Sequence, residues 1–221
     1  AQIDTVLLAF TDIYGRQFGK RLDARFFLES EHPETHACNY LLTTDMEMDP
    51  APGYRFANWE RGYGDFCMAA DLSTLRVASW LDRTAILTCD LVNSETRSYV
   101  DEAPRSILRR QIEAARKLGY EPAAATELEY YIFSNSYRAA AAAGYRGLEA
   151  AGWYLEDYHV LQGTREEKLN GTVRRHLAQS GVPVECSKGE WGKGQHEMNV
   201  RYSDALTMAD RHAVFKQCFK E

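Results

Sequence analysis

No two of the five cysteines stand at C-x-x-C spacing: Cys38, Cys67, Cys89, Cys186 and Cys218 are scattered and odd in number. This excludes a cysteine zinc site and a disulfide framework, and it fits a reducing compartment. No run of eighteen apolar residues is present, and the start lacks the charged-then-apolar order of a signal peptide. A soluble, cytoplasmic protein with no membrane partner is expected. Positive charge is not in excess either, since 26 Lys and Arg face 32 Asp and Glu, a net charge of −6 that argues against a nucleic-acid partner. Arg105, Arg109, Arg110, Arg116 and Lys117 do cluster, but at helical spacing they read as a solvated helix face. A phosphate-cradling P-loop is also missing. Gly189 and Gly192-Lys193 leave two residues between them rather than four, and Gly194 stands where Ser or Thr is needed. No repeat of solenoid length is visible.

What is present is enough chain, 221 residues, for one large domain or two small ones. Strand-like runs come first: Thr5 to Phe10, Phe18 to Leu22 across an Asp12-Ile13-Tyr14-Gly15 turn, and Thr84 to Leu91. The chain divides near Tyr99 to Pro104, giving a first domain over 1–100 and a second over 101–221. Pro104 opens a helix whose stripe is Ile107, Leu108, Gln111, Ile112, Ala115 and Leu118, and Gly119 closes it. Ala139 to Ala143 read as helix filler. A final helix is expected from Ser203 as N-cap, with Leu206, Ala209, Ala213 and Cys218 near one face. Glu221 follows without any termination signal, so the chain reads as cut. The pattern as a whole is α+β.

Two pairs of glutamates carry the chemistry. Ala125 to Phe133 reads as a strand, so Glu127 and Glu129 project from one face about 7 Å apart while Leu128 and Tyr130 face the other way. Val182 to Lys188 and Gln195 to Tyr202 read as a hairpin. If Lys193-Gly194 are its two loop residues, Glu190 pairs directly with Glu197, with Cβ atoms about 5 Å apart. Like charges there repel, so something positive should be present. Four solvated surface glutamates are the bland reading, but their shared strand faces favour a divalent-metal site. The all-oxygen donor set favours Mg²⁺ or Mn²⁺ over zinc. His196 faces away from Glu197 and is expected in support of the site or in core packing; His159 and His176 have ordinary polar surroundings, and His212, on a predicted helix, is expected in packing.

The E-x-E strand, followed by V-E-x-x-x-x-E and G-Q-x-E, is similar to the glutamine synthetase family. The resemblance extends through Phe10 to Arg16, Gly64-Asp65-Phe66, Asp71-Leu72 and Tyr202 to Lys216. It implies a small β-grasp N-terminal domain, then part of a catalytic domain built as an antiparallel sheet with flanking helices. It also implies an ATP-dependent ligase that phosphorylates the side-chain carboxylate of glutamate and lets ammonia or another amine attack the acyl phosphate. By resemblance Glu129, Glu190 and Glu197 hold the cation near the substrate, Glu127 holds the one near the ATP phosphates, and Glu185 matches a nucleotide position. The family forms homo-oligomers of stacked rings with active sites between subunits. Aromatics at Tyr54, Phe56, Trp59 and Tyr63 are compatible with such a contact or with the domain's own core.

Two departures concern the amine. Asp45 lies where ammonia-using members carry an aspartate followed by Gly-Ser-Ser, and that tripeptide is absent here. Asp45 is either a group that draws a proton from the amine or one of three acids, with Glu47 and Asp49, in an ordinary loop. Trp153-Tyr154 stand where the family has a tyrosine near its ammonium site. Both departures leave room for a larger amine. The family's glutamate-gripping segments lie beyond Glu221, so these 221 residues alone are expected not to complete the reaction. A non-catalytic structural member of the superfamily is the alternative.

Overall fold

The computed structural model describes residues 2–30 and 34–221. Its chain forms two compact units, Ala1–Ala123 with Asp204–Glu221, and Ala124–Ser203. The architecture is mixed α+β, as expected.

The first unit is built on a sheet in the order β2-β1-β6-β4-β3, with β5 pairing β6. Its strands are β1 (Thr5–Thr11), β2 (Gln17–Asp23), β3 (Glu34–Cys38), β4 (Asp65–Ala70), β5 (Arg76–Val77) and β6 (Thr84–Asn93). β1 and β2 make an antiparallel hairpin, whereas β1 and β6 run parallel. The hairpin turn forms because Asp12, 2% exposed, accepts from the backbone N–H groups of Tyr14 and Arg16, while Gly15 takes φ +72°. β6 is covered along nearly its whole length, as suits a central strand rich in apolar residues, although Thr84, Thr88 and Asp90 are buried with them. Phe10, Phe66, Leu8, Met68 and Leu87 fill one core, closed by Phe27 of helix α1 (Ala24–Glu29). Trp59 lies outside it, 82% exposed, and Phe56 packs against it.

Helix α2 (Pro104–Lys117) opens on Pro104 and is followed by Gly119 at φ +86°, as its end signals predict. Its covered face differs from the apolar stripe. Ile112 is buried, but Ile107 and Leu118 are 42% and 76% exposed. The reading of its basic residues as a solvated face is corrected as well. Arg110, Arg116 and Lys117 are exposed, whereas the Arg105 and Arg109 side chains are only 10% and 29% exposed. Arg105 donates to Asp90, Asp71 and Asp210 at 2.5–3.0 Å, and Arg109 to Asp90 and Asp71 at 2.8–3.2 Å. Asp210 belongs to helix α6 (Ala205–Lys220), so the arginines tie α2 to β6 and α6. Helical spacing places them on one face; their acids come from distant sequence. The N-cap of α6 is Asp204, which accepts from Thr207 N, rather than Ser203.

The second unit holds a three-stranded sheet, β7-β9-β8, of strands β7 (Ala123–Tyr131), β8 (Val184–Gly189) and β9 (Gln195–Asp204). Along β7 exposure alternates strictly: Glu127, Glu129 and Tyr131 face outward while Leu128 and Tyr130 are partly covered. Helices α3 (Tyr137–Ala142), α4 (Val160–Arg165) and α5 (Glu167–Gln179) complete the unit, and α3 contains the expected alanine run. Val173 and Leu177 of α5 are buried, as are Met198 and Val200 of β9. Among the described residues no helix is long and apolar enough to cross a membrane.

Candidate metal centre

The hairpin of β8 and β9 is antiparallel, with Lys188 opposite Glu197 and Gly189 opposite His196. Glu190 N then donates to Gln195 O at 2.8 Å, so Glu190 faces Gln195 rather than Glu197. The expected Glu190–Glu197 pair is thereby corrected. The loop is Trp191-Gly192-Lys193-Gly194, two residues longer than expected, with Gly194 at φ +74°. Glu190 and Glu197 become diagonal neighbours on one sheet face, which still brings their carboxylates together.

One oxygen each from Glu129, Glu190 and Glu197 lies within 4.8 Å of the others. Glu129 is exposed, Glu190 half-buried and Glu197 7% exposed. Burial, then the neighbouring Glu190, raises the pKa of Glu197, with Glu127 adding to the rise. Glu190 is lowered, chiefly by its contact with Lys188. Two oxygens on one divalent ion, each bound at 2.0–2.6 Å, stand no more than about 4–5 Å apart. Three carboxylates at this separation, one of them resisting ionisation, fit a hard divalent cation. Glu127 lies outside this tight group but shares the β7 face.

Three residues that the sequence reading gave no role complete the site. Gln195 donates Nε2 to Glu129 Oε2 at 2.7 Å, while its Oε1 accepts from Gly192 N and the Tyr131 hydroxyl at 2.8 and 3.0 Å. Its place on the glutamate face, two before Glu197, was the available signal. Lys188 ion-pairs with Glu190 and lies 3.6 Å from Glu197, so the positive charge that the acids require is partly supplied by the chain itself. Burial lowers the Lys188 pKa, but its glutamate partners outweigh that and raise it.

The third is Glu156, 1% exposed. Its Oε1 accepts from Gly194 N at 2.9 Å, and its Oε2 lies 2.8 Å from His196 Nε2, poorly aligned for a hydrogen bond. A Cβ at Gly152 would overlap Glu156 Oε1, and one at Gly189 would press on the Glu156 carbonyl. His196 is buried and stacked on Tyr130, its Nδ1 3.2 Å from Asn170 Nδ2, so it packs on the sheet face opposite Glu197, as expected, with Glu156 beside it. Burial lowers its pKa against the opposing charges of Glu156 and Glu166. Nothing local in the sequence marked Glu156, because its partners lie 38 and 40 residues away.

Glu185 is exposed at a β-bulge between Val184 and Cys186, and it lines a cavity of about 510 Å³ with Tyr158, Arg174 and Lys188. Asp45 belongs to the first unit. Its Oδ1 accepts from the backbone of Glu47 and Asp49 at 2.8 and 3.1 Å, closing a loop in which Met48 has φ +70°. Trp153 and Tyr154 are exposed, and the Arg165 guanidinium lies over Trp153.

Residues 101–221 match the glutamine synthetase catalytic domain. The chain is 48% identical to a gamma-glutamylethanolamide synthetase of Streptomyces coelicolor, over 99% of this chain and 47% of that protein. It is 33% identical to a glutamate–isopropylamine ligase of Pseudomonas, over 99% and 48%. Among solved structures, apo GmaS aligns with TM-score 0.75 at 22% identity, covering 99% of this chain and 47% of that one. A glutamine synthase homolog aligns with TM-score 0.80 at 18% identity, covering 99% and 48%. The chain spans about half the length of the curated relatives it matches.

Proposed function

The chain belongs to the glutamine synthetase family, and on that premise we propose that the whole protein is an ATP-dependent ligase joining the γ-carboxylate of glutamate to a small amine through a γ-glutamyl phosphate. The observation that carries this reading is the convergence of Glu129, Glu190 and Glu197. These residues would hold Mg²⁺ or Mn²⁺, and Glu127 a second ion nearer the ATP phosphates. Cations held there supply charge neutralisation as a phosphoryl group passes between oxygens. The protein's own part is positional. Gln195 fixes Glu129 against the hairpin, Glu156 pins the turn that presents Glu190, and Glu185 lines a cavity that we propose takes part of the nucleotide.

The amine is proposed to be larger than ammonia. Asp45, the candidate amine group, lacks the Gly-Ser-Ser of ammonia-using members, and relatives of this chain are named for an ethanolamide and for isopropylamine. A cytoplasmic homo-oligomer of stacked rings, with Asp45 serving a neighbouring subunit's site, completes the proposal.

One observation favours a non-catalytic structural member instead: Lys188 already partners two of the acids. The deciding experiment measures ADP release by the full-length protein with glutamate, ATP, Mg²⁺ and a panel of ammonia, ethanolamine and isopropylamine. Amine-dependent release that disappears in Glu129→Gln supports the ligase. No ADP release with any amine of the panel, from protein that binds Mn²⁺, would leave the structural role.

A further inference from the structure

The carboxylate cluster carries its own cation, and that has a consequence for how a metal enters. Lys188 lies opposite Glu197 in the hairpin register and two residues before Glu190, so its side chain emerges on the same sheet face as both acids. Its ammonium ion-pairs with Glu190 Oε1 and stands 3.6 Å from Glu197 Oε2. The Tyr158 ring covers its other side, with the ammonium 4.4 Å from the ring centroid, and the side chain is 20% exposed. This is a held position, not a lysine trailing in solvent.

A divalent ion bound to these oxygens at about 2.0–2.6 Å would occupy the space the ammonium now fills or press directly on it. A doubly charged ion and an ammonium held side by side repel each other, and the repulsion is stronger near a protein surface than in bulk water. We propose that Lys188 is an internal counter-ion that a divalent cation must displace in order to bind, so the protein exchanges one cation for another. The inference rests on reading Glu129, Glu190 and Glu197 as the metal ligands. The displaced ammonium has somewhere to go: Lys188 also lines the cavity of about 510 Å³, whose wall carries Glu185 and Glu167.

Exchange has two signatures that a merely structural lysine lacks. The metal-free protein is stabilised by Lys188 while the metal-loaded protein is not, and metal affinity is lower than the carboxylates alone would give. The test is thermal melting of the full-length protein in chelator and across a Mn²⁺ titration, for the natural sequence, Lys188→Met, Lys188→Arg and Glu129→Gln. Lys188→Met is expected to melt lower in chelator, to match the natural protein when saturated with Mn²⁺, and to bind Mn²⁺ roughly tenfold tighter. Lys188→Arg, which keeps the charge, is expected to stay near the natural affinity. Should Lys188→Met not fold, Lys188→Gln repeats the measurement. Unchanged or weaker Mn²⁺ binding in the neutral variant, with binding still lost in Glu129→Gln, overturns the counter-ion role and leaves the metal site standing. Mn²⁺ binding that survives Glu129→Gln removes the metal site and this inference together.

Discussion

Two clusters of acids in this protein solve the same electrostatic problem differently. In the first unit Asp71, Asp90 and Asp210 meet Arg105 and Arg109 through seven hydrogen bonds. Burial raises the pKa of Asp210 and opposes ionisation of Arg105, but the three aspartates overcome that and hold Arg105 charged. In the second unit Glu129, Glu190 and Glu197 meet one lysine and one glutamine, and Glu127 adds a further negative charge nearby. A planar guanidinium with five donors can saturate several carboxylates at once, which suits a permanent joint. An ammonium on a flexible stem neutralises only part of its cluster. The difference separates a structural network from a site: the first shares its acids between two guanidinium groups, and the second has unspent negative charge on a partly open face.

A structural role for the arginine network makes Arg105 the most costly of these residues to remove. Arg105→Ala removes every guanidinium hydrogen bond to the buried Asp210 and leaves Asp71 and Asp90 with Arg109, and loss of one partner of a buried pair costs about 3–5 kcal/mol. Denaturant unfolding should show that loss with little effect on Mn²⁺ binding; a change below about 1 kcal/mol would sink the structural assignment. The opposite pattern is expected of Glu197→Gln. Its stability in chelator should hold or rise, since a like charge is removed, while the stabilisation that a ligand at a hundred times its Kd provides, about 2.7 kcal/mol, should disappear. Equal Mn²⁺-induced shifts in Glu197→Gln and the natural protein would contradict the assignment of the acids to a metal.

Glu156→Gln sharpens the contrast within the second unit. The amide keeps the volume but alters a buried acceptor that holds Gly194 N and faces His196, so a cost of about 1–3 kcal/mol is expected. Because Gly194 belongs to the loop that follows Glu190, Mn²⁺ binding should weaken several-fold as well. Reduced stability with unchanged Mn²⁺ affinity would show that Glu156 supports the fold but not the geometry of the acids.

The features legible in the sequence were those governed by strand and turn periodicity. Glu127 and Glu129 share a face because alternation is local, and Pro104 and Gly119 mark the ends of α2 for equally local reasons. The pairing of Glu190 failed because hairpin register depends on loop length, and four loop residues replaced the two assumed. Arg105 looked like a surface residue because charge in a helix is usually solvated, and only the fold brings Asp210 to it from 105 positions away. Glu156 shows the same limit: a buried carboxylate is defined by partners that no local pattern encodes. The acids that converge were therefore readable, and of the residues that hold them in place only Gln195 carried a local signal.

The smallest expected effect concerns acid, where the arginine-bound cluster should reveal itself through Asp71. Burial raises the pKa of this carboxylate, but hydrogen bonds from Ser73 and Arg105 outweigh burial and lower it below its ordinary 3.8. A folded-state pKa below the unfolded one means that folding favours the ionised form. The contribution is therefore complete above about pH 4, near the unfolded value, and is lost as pH falls through the folded value. Asp210 acts in the opposite sense, because burial raises its pKa; its protonated form is favoured, and that contribution fades as pH rises above the ordinary value. Asp71→Asn isolates the first effect: the variant should be less stable at neutral pH, and the gap to the natural protein should close below about pH 4. A gap that stays constant from pH 7 to pH 3 would mean that Asp71 contributes through packing and its cap to Ser73, not through its charge toward the arginines.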